Sequence, residues 1–174
     1  MKVKLKAIVG FKEFHRDDHI SGSLRFLPPV IDEQFPVGFF DRASQEGSKL
    51  CGTCVFLKLN SSLSFKLRLN CGQGTNTKGE LLALWCLLFF ANSKNIFHLQ
   101  ILGDSKVIVD WFNHKARLQV ATLQGWTKKI RLENKFYFIS INHTYREFNS
   151  VADSLSKEAL LLDEGKLAVM EYGV

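Results

Sequence analysis

From Leu81 to Ala91 every residue is apolar. The run is about half of what crossing a bilayer requires, so it reads as a helix buried inside a globular protein. Just before it, Thr77-Lys-Gly-Glu80 has the form of a capping box and marks where that helix should begin. Around this helix the text alternates. Val37-Gly-Phe-Phe-Asp-Arg-Ala43 reads as a buried strand running into a loop. Leu50 to Leu59 and Leu63 to Asn70 are strand-like runs around a turn at Asn60-Ser61-Ser62. Cys71-Gly-Gln-Gly-Thr-Asn-Thr77 is rich in breakers and leads into the helix. Phe97 to Leu102 is a second buried strand, ending at Gly103-Asp104-Ser105. Helical text follows at Ser105 to His114 and from about Val120 to Glu133, where Val120, Leu123, Thr127 and Ile130 share a face. Phe136 to Asn142 is a strand, and Asn149 to Leu162 is an amphipathic helix.

Three strands, then helix, strand, helices, strand and helix predict an α/β domain. The expected architecture is a mixed five-stranded sheet, three antiparallel strands followed by parallel additions, with helices on both faces. Residues 1–36 hold all three prolines and show no sustained periodicity, so they are set apart as an N-terminal extension. The domain is expected over 37–163, with 164–174 as a C-terminal tail. The patch His15-Arg16-Asp17-Asp18-His19 carries metal-ligand residue types, but nothing nearby closes a site and a solvated turn accounts for it.

A formal charge of +6 makes a polyanion such as nucleic acid a plausible partner. No stretch is long enough to span a membrane. The opening Met1-Lys2-Val3-Lys4-Leu5-Lys6 interleaves lysines where a signal peptide has an apolar core, so an intracellular setting is expected. Cys51, Cys54, Cys71 and Cys86 lie in strand-like or helix-like text rather than in a disulfide framework. Cys51-Gly-Thr-Cys54 has the CxxC spacing, yet no second CxxC or histidine pair completes a zinc site.

Four acids, Asp41, Glu80, Asp104 and Asp153, call for an explanation. Asp41 follows Gly38-Phe39-Phe40 in apolar text, where an unpaired carboxylate is costly to bury, unless it is a strand-end turn residue. Glu80 would be explained by capping with Thr77, Asp104 by N-capping, and Asp153 by solvent exposure. As a set they read differently. A sheet of this order can gather strand ends and helix starts near one edge of its central strands, and carboxylates gathered there repel one another unless cations neutralise them. Oxygen ligands suit hard divalent ions, Mg2+ first and Mn2+ second. Two such ions roughly 4 Å apart can activate a water and stabilise the leaving oxygen of a phosphodiester.

The segments Phe40-Asp41-Arg-Ala, Thr75-Asn-Thr-Lys-Gly-Glu80-Leu, Gly103-Asp104-Ser105 and Arg146-Glu-Phe-Asn149-Ser-Val-Ala152-Asp153-Ser-Leu155-Ser-Lys157 resemble the type 1 ribonuclease H family. The likeness is to the plant version at the C-terminal end of non-LTR retrotransposon reverse transcriptases, and it runs from about residue 37 to 162. The resemblance implies a metal-dependent endonuclease that hydrolyses the RNA strand of RNA–DNA hybrids. Its four catalytic, metal-binding acids would be Asp41, Glu80, Asp104 and Asp153, with Mg2+ as cofactor. Asn76 matches a position that reaches the minor groove of a hybrid, and Ser105 is a further expected substrate contact. His143 matches the spacing of a mobile histidine that aids catalysis in some members; a structural role at its strand end is the alternative.

The sequence departs from the family in two places. Arg42 stands where the family has glycine after the first acid. It would either clash with the duplex or donate to a phosphate. Cys54 stands where many relatives have a small glycine. Two other readings follow: a catalytically degenerate domain that binds nucleic acid or protein, and a retrotransposon-derived fragment of a longer polyprotein.

Overall fold

A computed structural model describes residues 30–45, 49–145 and 157–173. Its strands are β1 (Val37–Gln45), β2 (Leu50–Lys58), β3 (Ser64–Gln73), β4 (His98–Gly103), β5 (Phe138–His143) and β6 (Leu167–Tyr172). The helices are α1 (Asn76–Ser93), α2 (Lys106–Phe112) and α3 (Gln124–Glu133), the last preceded by a short 3-10 turn at Ala121–Leu123. The strands form one mixed sheet in the order β5-β4-β1-β2-β3-β6. β1 to β3 are an antiparallel meander, while β4 pairs parallel to β1 and β5 parallel to β4. The mixed sheet is the predicted one with one strand more, and α1, α2 and α3 all contribute to one core cluster.

The additional strand is β6, antiparallel to β3 over Ser64–Leu69 and Leu167–Tyr172. Leu-Ala-Val-Met-Glu-Tyr mixes helix formers with strand formers and has no clean alternation, so nothing in it announces a strand. Tertiary anchors place it. The Asn70 side-chain amide donates to Leu162 O at 2.6 Å, its carbonyl oxygen accepts from Gly72 N, and Gly165 N donates to Asn70 O at 2.8 Å. Gly165 turns the chain at φ +75°, a conformation that favours glycine. Arg68 and Glu158 add an ion pair at 2.6 Å.

The expectation of a buried, all-apolar helix holds for α1. One side packs on β1 and β2 and another on α3, where Trp85 meets Trp126 edge to face at 5.6 Å. Phe40, Val55, Leu57, Leu84, Leu87, Leu99 and Ile101 form the centre of the core. Gly38 permits the close approach of helix to sheet, because a Cβ there would lie 2.6 Å from a Leu87 methyl. On the other face a smaller buried group gathers Val37, Phe39, Cys54, Phe56 and Leu102, with Ile31 packed against it. Most of the helix expected from Asn149 to Leu162 lies outside the described residues, which begin again at Lys157 with a helical turn. Along α3 the predicted face is right for Leu123, Thr127 and Ile130, which are buried; Val120 precedes the 3-10 turn and is exposed.

Of the N-terminal extension, residues 1–29, including His15 to His19, lie outside the described residues. Its end is tied to β4. Asp32 N–H donates to Gln100 Oε1, Gln100 Nε2 donates to Asp32 O, and Phe35 stacks on His98 at 3.7 Å between centroids.

Leu84→Ala should cost about 2–5 kcal/mol, because it removes a fully buried side chain between sheet and helices. Leu161→Ala, at an exposed position, should stay within about 0.5 kcal/mol. Urea unfolding of both variants measures the contrast, and similar losses would contradict the packing described.

Candidate metal centre

The β1–β4 pairing ends at Phe40 opposite Gly103, but β1 continues to Gln45. β4 therefore stops beside the middle of β1, and Asp104 leaves the sheet next to Asp41. Asp41 is in mid-strand, paired with Cys54 of β2, rather than at the strand end that a turn role required. Glu80 comes from the first turns of α1. The carboxyl groups of Asp41, Glu80 and Asp104 each bring an oxygen to within 4.8 Å of the others.

For Asp41, Glu80 and Asp104 the structure does not show the strand-end turn and capping roles. Helix α1 starts two residues earlier than the capping box predicts. Thr75 is the N-cap, its hydroxyl accepting from Lys78 N at 3.2 Å, and Thr77 lies inside the helix. Glu80 is thus released from capping and turned inward, only 6% exposed. Ser105, not Asp104, is the residue preceding α2, and its side chain makes no capping hydrogen bond. Asp153 lies outside the described residues.

Local packing brings Glu80 to Asp41. A Cβ on Gly79 would sit 2.3 Å from Cys51 Sγ and 3.0 Å from Arg42 Cβ, so glycine lets the head of α1 lie directly on β1 and β2. The buried Thr53 hydroxyl stands 2.9 Å from Gly79 O and 3.2 Å from Asp41 O, sharing its proton between helix and strand. Neither Gly79 nor Thr53 is conspicuous in the sequence. A threonine in a run of inward-facing apolar residues is the one faint signal, since a buried hydroxyl needs an acceptor.

The site is electrostatically strained when empty of cations. Asp41 is 1% exposed, and its Oδ1 accepts from Arg42 N at 2.7 Å. Glu80 Oε1 is 3.6 Å from Arg42 Nε, while its buried Oε2 accepts no hydrogen bond among the described residues. Burial first, then the negative charges of Asp41 and Asp104, push the Glu80 carboxyl well above the usual range; Arg42 opposes them. Buried oxygen donors with one left unsatisfied are what a hard divalent ion completes, so the residues fit Mg2+ or Mn2+.

His143 ends β5 opposite Gly103, and its Nε2 is 3.1 Å from Asp104 O. A carbonyl can only accept, so Nε2 donates and Nδ1 of the neutral ring remains an acceptor. Asn76 is the first residue of α1 and is exposed. Arg42 is half-buried against Glu80. Cys51 and Cys54 point to opposite faces of β2. Cys54 joins the buried group on the far face, and Cys51 instead contacts Cys71, which lowers the Cys51 thiol and raises that of Cys71. The CxxC spacing therefore forms no chelate. No helix among the described residues is long and apolar enough to cross a membrane.

This geometry sits in a ribonuclease H fold. The structure superimposes on ribonuclease H1 of the halophilic archaeon Halobacterium salinarum with TM-score 0.64 at 23% identity, covering 72% of this chain and 96% of that one. It matches the N-terminal RNase H domain of a Mycobacterium tuberculosis protein with TM-score 0.65 at 19% identity, over 72% and 92% of the two chains. LC11-RNase H1, solved in complex with an RNA/DNA hybrid, matches with TM-score 0.61 at 21% identity, over 72% and 96%. No curated protein sequence matches. A family model described as reverse transcriptase-like matches residues 61–159, more than half of the chain, and the protein belongs to that family.

Without metal, the raised Glu80 carboxyl binds its proton more tightly in the folded protein than in the unfolded chain. A raised folded value gives stability that is full below the ordinary carboxylate range and is lost as pH rises through the raised value. In chelator, wild type should therefore lose more Tm between about pH 5 and about pH 8 than Glu80→Gln does. Thermal melts at the two pH values decide it, and equal losses would mean that Glu80 is not a confined charge.

Proposed function

We propose that this domain is a metal-dependent endonuclease that hydrolyses the RNA strand of RNA–DNA hybrids. The observation that carries the reading is the convergence of Asp41, Glu80 and Asp104, within 4.8 Å of one another, at the notch where β4 ends. These three residues would hold the metal, Mg2+ or Mn2+, and Asp153 is proposed as the fourth acid. When bound, a divalent ion supplies an activated water and neutralises charge on a scissile phosphate.

The remaining roles belong to side chains. His143, fixed by its bond to Asp104 O, presents Nδ1 as an acceptor for a proton leaving the attacking water or its product. Asn76 and Ser105 flank the acids at the starts of α1 and α2, where a hybrid's sugar and base edges would pass. Between α2 and α3, Trp111, His114, Arg117, Gln124 and Arg131 line a surface groove of about 390 Å³. Lys115, Lys128 and Lys129 are exposed in the same region. A basic surface of this kind suits a phosphate backbone. The fold match to a ribonuclease H1 solved with an RNA/DNA hybrid agrees with that substrate. On the same reading the domain derives from the ribonuclease H part of a plant non-LTR retrotransposon reverse transcriptase and acts inside the cell.

Arg42 against Glu80 favours one other reading, a degenerate relative that binds hybrids without cutting them. Cleavage of a labelled RNA–DNA hybrid separates the two. Wild type should cut the RNA strand with Mg2+ and not with chelator. Asp104→Asn should lower the rate at least a hundredfold while leaving Tm in chelator unchanged or higher. Binding of the hybrid by folded wild type with no product at any Mg2+ concentration would replace the nuclease with the binding domain.

A further inference from the structure

Arg42 points to the same side of β1 as Phe40, toward α1, because side chains alternate along a strand. Its stem lies against the bare backbone of Gly79, and its guanidinium reaches Glu80, with Nε 3.6 Å from Oε1. The arginine thus stands beside the acid whose second oxygen, Oε2, is buried and accepts no hydrogen bond among the described residues. Three carboxylates and one guanidinium leave two negative charges when all are ionised, which one divalent ion would neutralise.

We propose that Arg42 is an internal counter-cation of the carboxylate cluster, a positioning residue that competes with divalent metal for Glu80. The inference rests on the metal-binding reading above. A fixed positive charge within a few ångströms of a metal position repels the incoming ion and also ties down one of its ligands, so both effects weaken binding. The same contact steadies the metal-free protein by offsetting repulsion among Asp41, Glu80 and Asp104. Arg42 therefore trades metal affinity for tolerance of the empty site.

The test is a Mn2+ titration by calorimetry, with free Mn2+ followed by electron paramagnetic resonance, on wild type, Arg42→Gln, Arg42→Gly and Arg42→Lys. Circular dichroism and Tm establish that each is folded. Gln keeps most of the length without the charge, Lys keeps the charge, and Gly removes both. Arg42→Gln and Arg42→Gly should bind Mn2+ at least tenfold more tightly than wild type, or take up a further equivalent, while Arg42→Lys stays close to wild type. In chelator, Arg42→Gln should melt below wild type, and saturating Mn2+ should close that gap. Equal affinity and stoichiometry in wild type and Arg42→Gln overturns the proposal while leaving the metal site intact. Tightening in Arg42→Gly alone also overturns it, since bulk rather than charge would then be at work. If no variant binds Mn2+, the metal-binding reading fails with it.

Discussion

Asp41 lies in the middle of a central strand with its carboxyl almost wholly withdrawn from water. A carboxylate in that position is destabilising unless something answers its charge. Much of the surrounding arrangement can be traced to that requirement. β4 stops one residue short of it, which opens a notch where Asp104 and Glu80 can approach. Gly79 lets the helix carrying Glu80 come close enough, and Thr53 pins helix and strand through one hydroxyl. Adding acids to an acid worsens repulsion, which a cation or a retained proton on Glu80 relieves. Among the described residues, Arg42 is a cation that the fold itself brings to Glu80.

The sheet provides rigidity for this. Its core is packed between α1 and the inner faces of β1, β2 and β4, and α1 is in turn held by α3. An all-apolar helix suits a position between sheet and helices, and of its apolar run only Phe89 is exposed. β6 widens the sheet on the side away from β4, so Asp41 lies three strands in from the β6 edge and two from the β5 edge. The family match and the superpositions with ribonuclease H structures agree with this framework rather than with any one side chain.

Much of the framework was readable because its signals are local. Strand runs, the apolar stretch from Leu81 to Ala91 and the breakers at Cys71 to Gly74 each depend on neighbours in sequence. The three described acids were legible as a set because the fold order brings the segments that carry them together. What escaped was decided by contacts distant in the chain. β6 is placed by Asn70 and Gly165 rather than by its own composition. The start of α1 moved to Asn76 because Thr75 caps it, and two threonines two residues apart are equal candidates on the page. Val120 fell outside the helical face because the chain there is extended before the 3-10 turn. Arg42 was singled out as an oddity, but its direction toward Glu80 depends on the space left by Gly79.

Glu80 rides near the head of the most deeply packed helix, whose buried residues run from Gly79 to Ala91. Segments of this kind exchange their amide hydrogens only when the whole domain opens, whereas strand ends and connecting turns open far more often. Asp104 and His143 sit on such ends, just past the last paired residues of β4 and at the close of β5. The centre is thus built half on the head of a deeply buried helix and half on the ends of two strands. Opening of those strand ends would displace Asp104 and His143 relative to Asp41 and Glu80 while the core stayed closed.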